Sequence, residues 1–151
     1  MARSNRGMTI FTVGKIQEYL DLGAARFQEG EVSNTKVHLE VKDDTETLIV
    51  SLFGAPIAEI FFVDGKFDQI IMDPGTFFDN AGLPSRTHRE RLNGILDLLG
   101  DNGLIPENVR VFLADNHTKC FIGRGETCVP FGKGYEEVAV VANPVTLEFA
   151  E

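Results

Sequence analysis

Long apolar runs, cysteines, histidines and positive charges are all scarce in this 151-residue chain, and each scarcity closes off a class of function. No apolar run approaches the ~20 residues that a membrane-spanning helix requires. Met1 to Gly7 carries charge with no apolar region behind it, so it does not read as a secretory signal. Residues 1–8 are expected to be a flexible tail ahead of a single domain over 9–151, and a cytoplasmic location follows by default. Cys120 and Cys128 are too few for a disulfide framework. They flank Gly123-Arg124-Gly125, so a hairpin there would bring them close across strands, while a reducing cytosol would keep them as free thiols. With His117 they offer three soft ligands where a zinc site normally has four.

His38, His88 and His117 are each isolated in the sequence. No nucleophile elbow, paired metal-binding histidines or Gly-Lys-Ser/Thr phosphate loop occurs. Gly123-x-Gly125 and Gly132-x-Gly134 are not followed by helical patterns and read as turns. Asp64, Asp68, Asp73 and Asp79 match no calcium-loop spacing and sit better at hairpin ends. No metal or cofactor is therefore expected, and a binding role is favoured over catalysis.

The chain has 14 Lys and Arg against 23 Asp and Glu, a net charge of −9. Residues 28–80 hold eleven acidic and three basic residues, so nearly all the excess lies there. Such a surface repels nucleic-acid phosphates over a screened range of about 8–10 Å. It suits a basic protein partner, or serves only solubility.

The one dense basic cluster opens the best-defined helix, Ser85 to Gly100. Leu92, Ile95, Leu96 and Leu99 recur at i, i+3, i+4 and i+7 and form one apolar stripe. Thr87 and Glu90 have capping-box spacing, and Gly100 suits a helix end. Arg86, His88, Arg89 and Arg91 crowd the first turns, where the helix dipole disfavours cations by a few tenths to about 1 kcal/mol each. Two offsets are open: the arginines pair with carboxylates of the acidic strands, or they hold an anion such as a phosphate. The preceding loop, residues 73–85, carries Phe77 and Phe78. If these were exposed beside Arg86 and Arg89 they would make an aromatic-basic surface of the kind that stacks bases; otherwise they tuck into the core.

Elsewhere the pattern alternates between periods. Val13, Ile16, Leu20, Ala24 and Phe27 suggest an N-terminal helix capped by Thr12, interruptible at Gly23 and stopped by Gly30. From Val37 the period becomes two. Strands are expected at 37–41, 48–53, 57–63 and 67–72, with Gly54-Ala55-Pro56 between the second and third and an Asp64-Gly65 tight turn before the fourth. Short turns make this an antiparallel meander. After the central helix, strands are expected at 109–114, 120–122, 127–129, 138–141 and 145–149. The fold class is α+β: an N-terminal helix, an antiparallel β-meander, a central amphipathic helix, then further antiparallel strands.

Thr87-x-Arg89-x-Arg91-Leu92-Asn93, preceded by Ala55-Pro56-Ile57-Ala58 and followed by Val109-Arg110-Val111 and Val129-Pro130-Phe131, resembles a group of short uncharacterised tailed-bacteriophage proteins. The resemblance covers roughly residues 45–141 and leaves out the first 44. It implies a viral origin and carries no activity to transfer; with the default cytoplasmic location, the expected place is the host cell cytoplasm. Three readings of function follow. The first is non-catalytic binding to a host or viral protein, with the acidic meander facing basic partners. The second is binding of single-stranded nucleic acid or a nucleotide at Arg86, His88, Arg89, Arg91, Phe77 and Phe78. The third is phosphodiester cleavage using His88 and the arginines.

Overall fold

The computed structural model describes residues 2–74, 78, 82–142 and 146–150, with side chains from residue 7 onward. Its elements are α1 (Ala2–Leu22), β1 (Gly30–Val32), β2 (Thr35–Lys42), β3 (Thr45–Leu52), β4 (Ala55–Val63), β5 (Lys66–Met72), α2 (Arg86–Asp101), β6 (Arg110–Ala114), β7 (Lys119–Arg124), β8 (Thr127–Pro130) and β9 (Val138–Val141). This is the expected α+β order. One antiparallel sheet runs β1-β2-β3-β4-β5-β9, and a second runs β6-β7-β8. β9 therefore returns past α2 and the small sheet to extend the meander, a long-range pairing that no local pattern announces.

Several boundaries differ from the sequence reading, each for a local reason. Residues 2–8, expected as a tail, belong to α1. Thr12 lies inside the helix, fully buried, and its hydroxyl donates to the Met8 carbonyl at 2.8 Å rather than capping. The helix stops at Leu22 because Gly23 takes a left-handed φ of 81°, a conformation cheap only for glycine. Gly30 then opens a short strand that the sequence reading passes over. Phe53 and Gly54, both at positive φ, make the β3–β4 turn, so Ala55 and Pro56 sit inside β4. Val50 pairs with Ala58 and Ser51 with Pro56, leaving Ile57 as the extra residue of a bulge, a position that tolerates proline. Asp64-Gly65 is the expected tight turn. Of the expected strand at 145–149, residue 145 lies outside the described residues and Phe149 makes only an isolated bridge to Val140.

The core follows from the alternation along the strands. Val37, Leu48, Val50, Ile60, Ile70, Met72 and Val140 line one face of the large sheet and are almost completely buried. Both helices pack there. Tyr19 of α1 lies against Phe62, ring centroids 4.6 Å apart, and its hydroxyl donates to Glu46. Burial beside that carboxylate pushes the Tyr19 phenol well above its usual range. Leu92, Ile95, Leu96 and Leu99 of α2 face inward as their spacing requires.

α2 is fixed from two sides. Gly94 sits where a Cβ would meet Thr9 Cγ2 at 2.5 Å, so α1 and α2 approach as closely as glycine allows. On the other side, Asn93 bonds both backbone groups of Val111. Its Nδ2 donates to the Val111 carbonyl at 3.0 Å, and its Oδ1 accepts from the Val111 N–H at 2.7 Å. The side-chain amide thus acts as a one-residue strand on the edge of β6, satisfying groups that an open edge would leave bare. Replacing Asn93 with the isosteric Leu should cost about 2–4 kcal/mol, since two backbone groups lose partners. Chemical denaturation, with hydrogen exchange at the Val111 amide, measures this.

Candidate functional site

The basic start of α2 is the site the sequence proposes, and the fold divides it. Ser85, not Thr87, is the N-cap: its hydroxyl accepts from the His88 N–H at 3.2 Å. At the far end Gly100 lies within the helix and Asn102 caps it. With a step of about 100° per residue, Arg86 and Arg89 fall on one side and His88 and Arg91 on the other.

Arg86 is exposed and its Nε donates to Glu90 Oε1 at 2.8 Å. Arg89 folds back, Nε to the Pro84 carbonyl at 3.1 Å. Arg91 is fully buried. Its Nε donates to Thr35 Oγ1 at 3.1 Å, Nη1 to Thr9 Oγ1 at 2.9 Å and Nη2 to Asn34 Oδ1 at 3.4 Å. One guanidinium therefore ties α2 to α1 and to the β1–β2 turn. Burial lowers the Arg91 pKa, with Glu90 acting the other way.

His88 is also fully buried, edge-on to Phe131 with ring centroids 6.3 Å apart. Among the described residues neither ring nitrogen makes a well-formed hydrogen bond, although the Asp73 backbone lies close enough to favour the protonated ring. Burial pushes its pKa down to about 4, and the neighbouring Asp73 only partly opposes this. The ring is thus neutral at pH 7, an apolar wedge rather than an acid, base or phosphate ligand. Phe78 is half-buried and bridges Pro84, while Phe77 lies outside the described residues. The five described candidates are not gathered on one surface. The open groove that Arg86 does line, about 410 Å³, is shared with Glu90, Asp97 and Arg110, and there Arg110 is held by Asp97 at 2.9 Å.

The cysteines do not face one another. Cys120 is opposite Leu113 and Cys128 opposite Gly123, and the two are not joined in a disulfide. Among the described residues no group of three His, Cys, Asp or Glu could hold a metal, and no helix is long and apolar enough to cross a membrane.

A second surface is assembled by strand register. On the face of the large sheet away from the helices, His38, Ile49, Glu59, Ile71 and Ala139 form one cross-strand row, and Glu40, Thr47, Phe61, Gln69 and Val141 the next. Ile71, Phe61, Ala139 and Val141 are half-buried there, leaving some apolar surface on the outer face. Glu59 stands among them. Its pKa is raised, first by partial burial and then by Glu137, Glu40 and Asp73. The sequence shows the acidic excess but not this convergence, because the carboxylates come from four separate segments. Comparison with protein-family models, curated proteins and solved structures returns no match.

Two outcomes follow. Arg91→Lys should lower stability by about 2–3 kcal/mol, since a single ammonium cannot span three acceptors; Arg86→Lys should change it by less than about 0.5 kcal/mol. Because the folded pKa of His88 lies below its unfolded value of about 6.5, its contribution is complete above that pH and is lost as pH falls toward 4, by up to about 3 kcal/mol. Unfolding midpoints measured from pH 7 to pH 4 should show this slope, and His88→Phe should flatten it.

Proposed function

We propose that this is a small phage-encoded protein that acts without catalysis in the host cytoplasm, binding a basic host or viral protein on the outer face of its large sheet. The observation that carries the reading is the placing of Glu59, with Glu40, Glu137 and Asp73 around it, beside half-buried Ile71 and Phe61. A fold gains nothing from holding like charges together in a partly desolvated patch. A partner's Lys or Arg would relieve the repulsion, and its apolar side chains would cover Phe61 and Ile71. The resemblance of the Thr87–Asn93 segment to phage proteins supports the origin.

The nucleic-acid reading is less well supported, because Arg86 and Arg89 are engaged with Glu90 and Pro84 while His88 and Arg91 are buried. A buried, neutral His88 likewise offers nothing to phosphodiester cleavage.

The test is titration of the protein with a Lys/Leu-rich amphipathic peptide, followed by backbone amide NMR. Binding should shift β3, β4 and β5 amides and weaken as salt is raised. The triple substitution Glu40→Gln, Glu59→Gln, Glu137→Gln should reduce affinity about tenfold or more, while Glu59→Gln alone should raise thermal stability at pH 7. Salt-independent binding, or binding that the triple variant leaves intact, would refute the proposal.

A further inference from the structure

A separate cleft brings aromatic rings and two lysines together. It has a volume of about 340 Å³ and is enclosed by residues 82–83, the start of β7 and the loop from Pro130 to Tyr135. Phe121, Pro130 and Phe131 form its apolar wall, Lys119 and Lys133 its cationic rim, and Tyr135 stands at the mouth. We propose that this cleft binds a small planar aromatic anion, with the ring between Phe121 and Tyr135 and the anionic group at Lys119 and Lys133.

The cleft is built rather than incidental. The Lys133 N–H donates to the Gly82 carbonyl at 2.9 Å, the Phe131 N–H to the Cys120 carbonyl at 3.0 Å and the Tyr135 N–H to the Gly132 carbonyl at 3.1 Å. At Gly132 a Cβ would meet the Gly82 oxygen at 3.1 Å, so the two segments cross closely. These bonds hold the walls in place before any ligand arrives, which lowers the entropic cost of binding. The volume falls in the range of small-molecule sites and accommodates one fused ring system with a charged substituent.

The lining selects the ligand. Phe131 is buried, whereas Tyr135 is 57% exposed, an aromatic face left in solvent where a ring can stack on it. Lys119 is bridged to Asp115 at 3.3 Å, but that pair is 63% and 66% exposed and readily exchanges partners. Lys133 is exposed, and among the described residues no carboxylate lies within 4.0 Å of it. In a chain of net charge −9, a rim with two ammonium groups is the locally favoured station for an anion. The site is independent of the acidic sheet face, and neither proposal rests on the other.

Both a carboxylate and a phosphate would satisfy this chemistry, so two probes are needed. Titration of the ¹⁵N-labelled protein with 1-naphthoate and, in a second arm, with adenosine monophosphate should shift the Gly82, Gly132 and Lys133 amides saturably with at least one of them. The stronger arm identifies the anionic group. Naphthalen-1-ylmethanol, a neutral analogue of the first probe, should bind several-fold more weakly than 1-naphthoate if the carboxylate arm is the stronger. Lys119→Ala with Lys133→Ala should weaken the better anion about tenfold, with amides outside the cleft unchanged. Tyr135→Ala, exposed and so harmless to folding, should weaken it about threefold or more. The proposal is overturned by any of three results: no saturable shift at these amides with either anion at millimolar concentration, shifts centred elsewhere, or affinity unchanged in the double lysine variant.

Discussion

The packing of α2 against its neighbours is the constraint on which the rest of this architecture depends. Three features of one helix carry it. Arg91 reaches Thr9, Asn34 and Thr35. Asn93 completes the edge of β6 at Val111. Gly94 lets α1 come within contact of the α2 backbone. Together they join the N-terminal helix, the first hairpin of the large sheet and the small sheet to one element. A buried guanidinium is costly to desolvate and is tolerable only because neutral oxygens are placed to receive it. That requirement in turn fixes how the β1–β2 turn lies against α2. The Thr87–Asn93 stretch is thus, in its Arg91 and Asn93, a device for holding the molecule together.

This changes what the basic cluster means. Cations at a helix start invite an anion, and the dipole argument is sound as far as it goes. Here the cations are dealt with individually. One is paired with Glu90, one caps the Pro84 carbonyl, one is spent on tertiary contacts, and the histidine is kept neutral by burial beside Phe131. Two other lysines, Lys119 at the start of β7 and Lys133 beside Gly82, are separated in sequence yet line one cleft. Negative charge follows the opposite course. Register gathers Glu40, Glu59, Asp73 and Glu137 around half-buried apolar side chains on the sheet's outer face.

Much of the fold was legible in the residues alone. The period-2 pattern from Val37 to Met72, the Asp64-Gly65 turn and the leucine stripe of α2 each encode local geometry, and local geometry obeys steric rules that act over a few residues. The same rules located Gly23 as a breaker and Val138–Val141 as a strand. The candidate site was far less legible. Periodicity placed the Leu92–Leu99 stripe inward but left open whether Arg91, next in line on that side, was buried or merely adjacent. Thr12, Thr87 and Gly100 each matched a capping pattern and none serves as the cap, because capping depends on where packing stops the helix and not on composition alone.

What the chain's order of residues determined by itself was the class α+β, the succession of elements and the apolar faces, all consequences of short-range sterics and burial. Only the tertiary structure decided which cations are consumed in the core, which strand closes the large sheet and which charges share a surface. Those outcomes depend on contacts between residues tens of positions apart, as when Arg91 meets Asn34 and Val138–Val141 meets β5, and no local pattern carries that information.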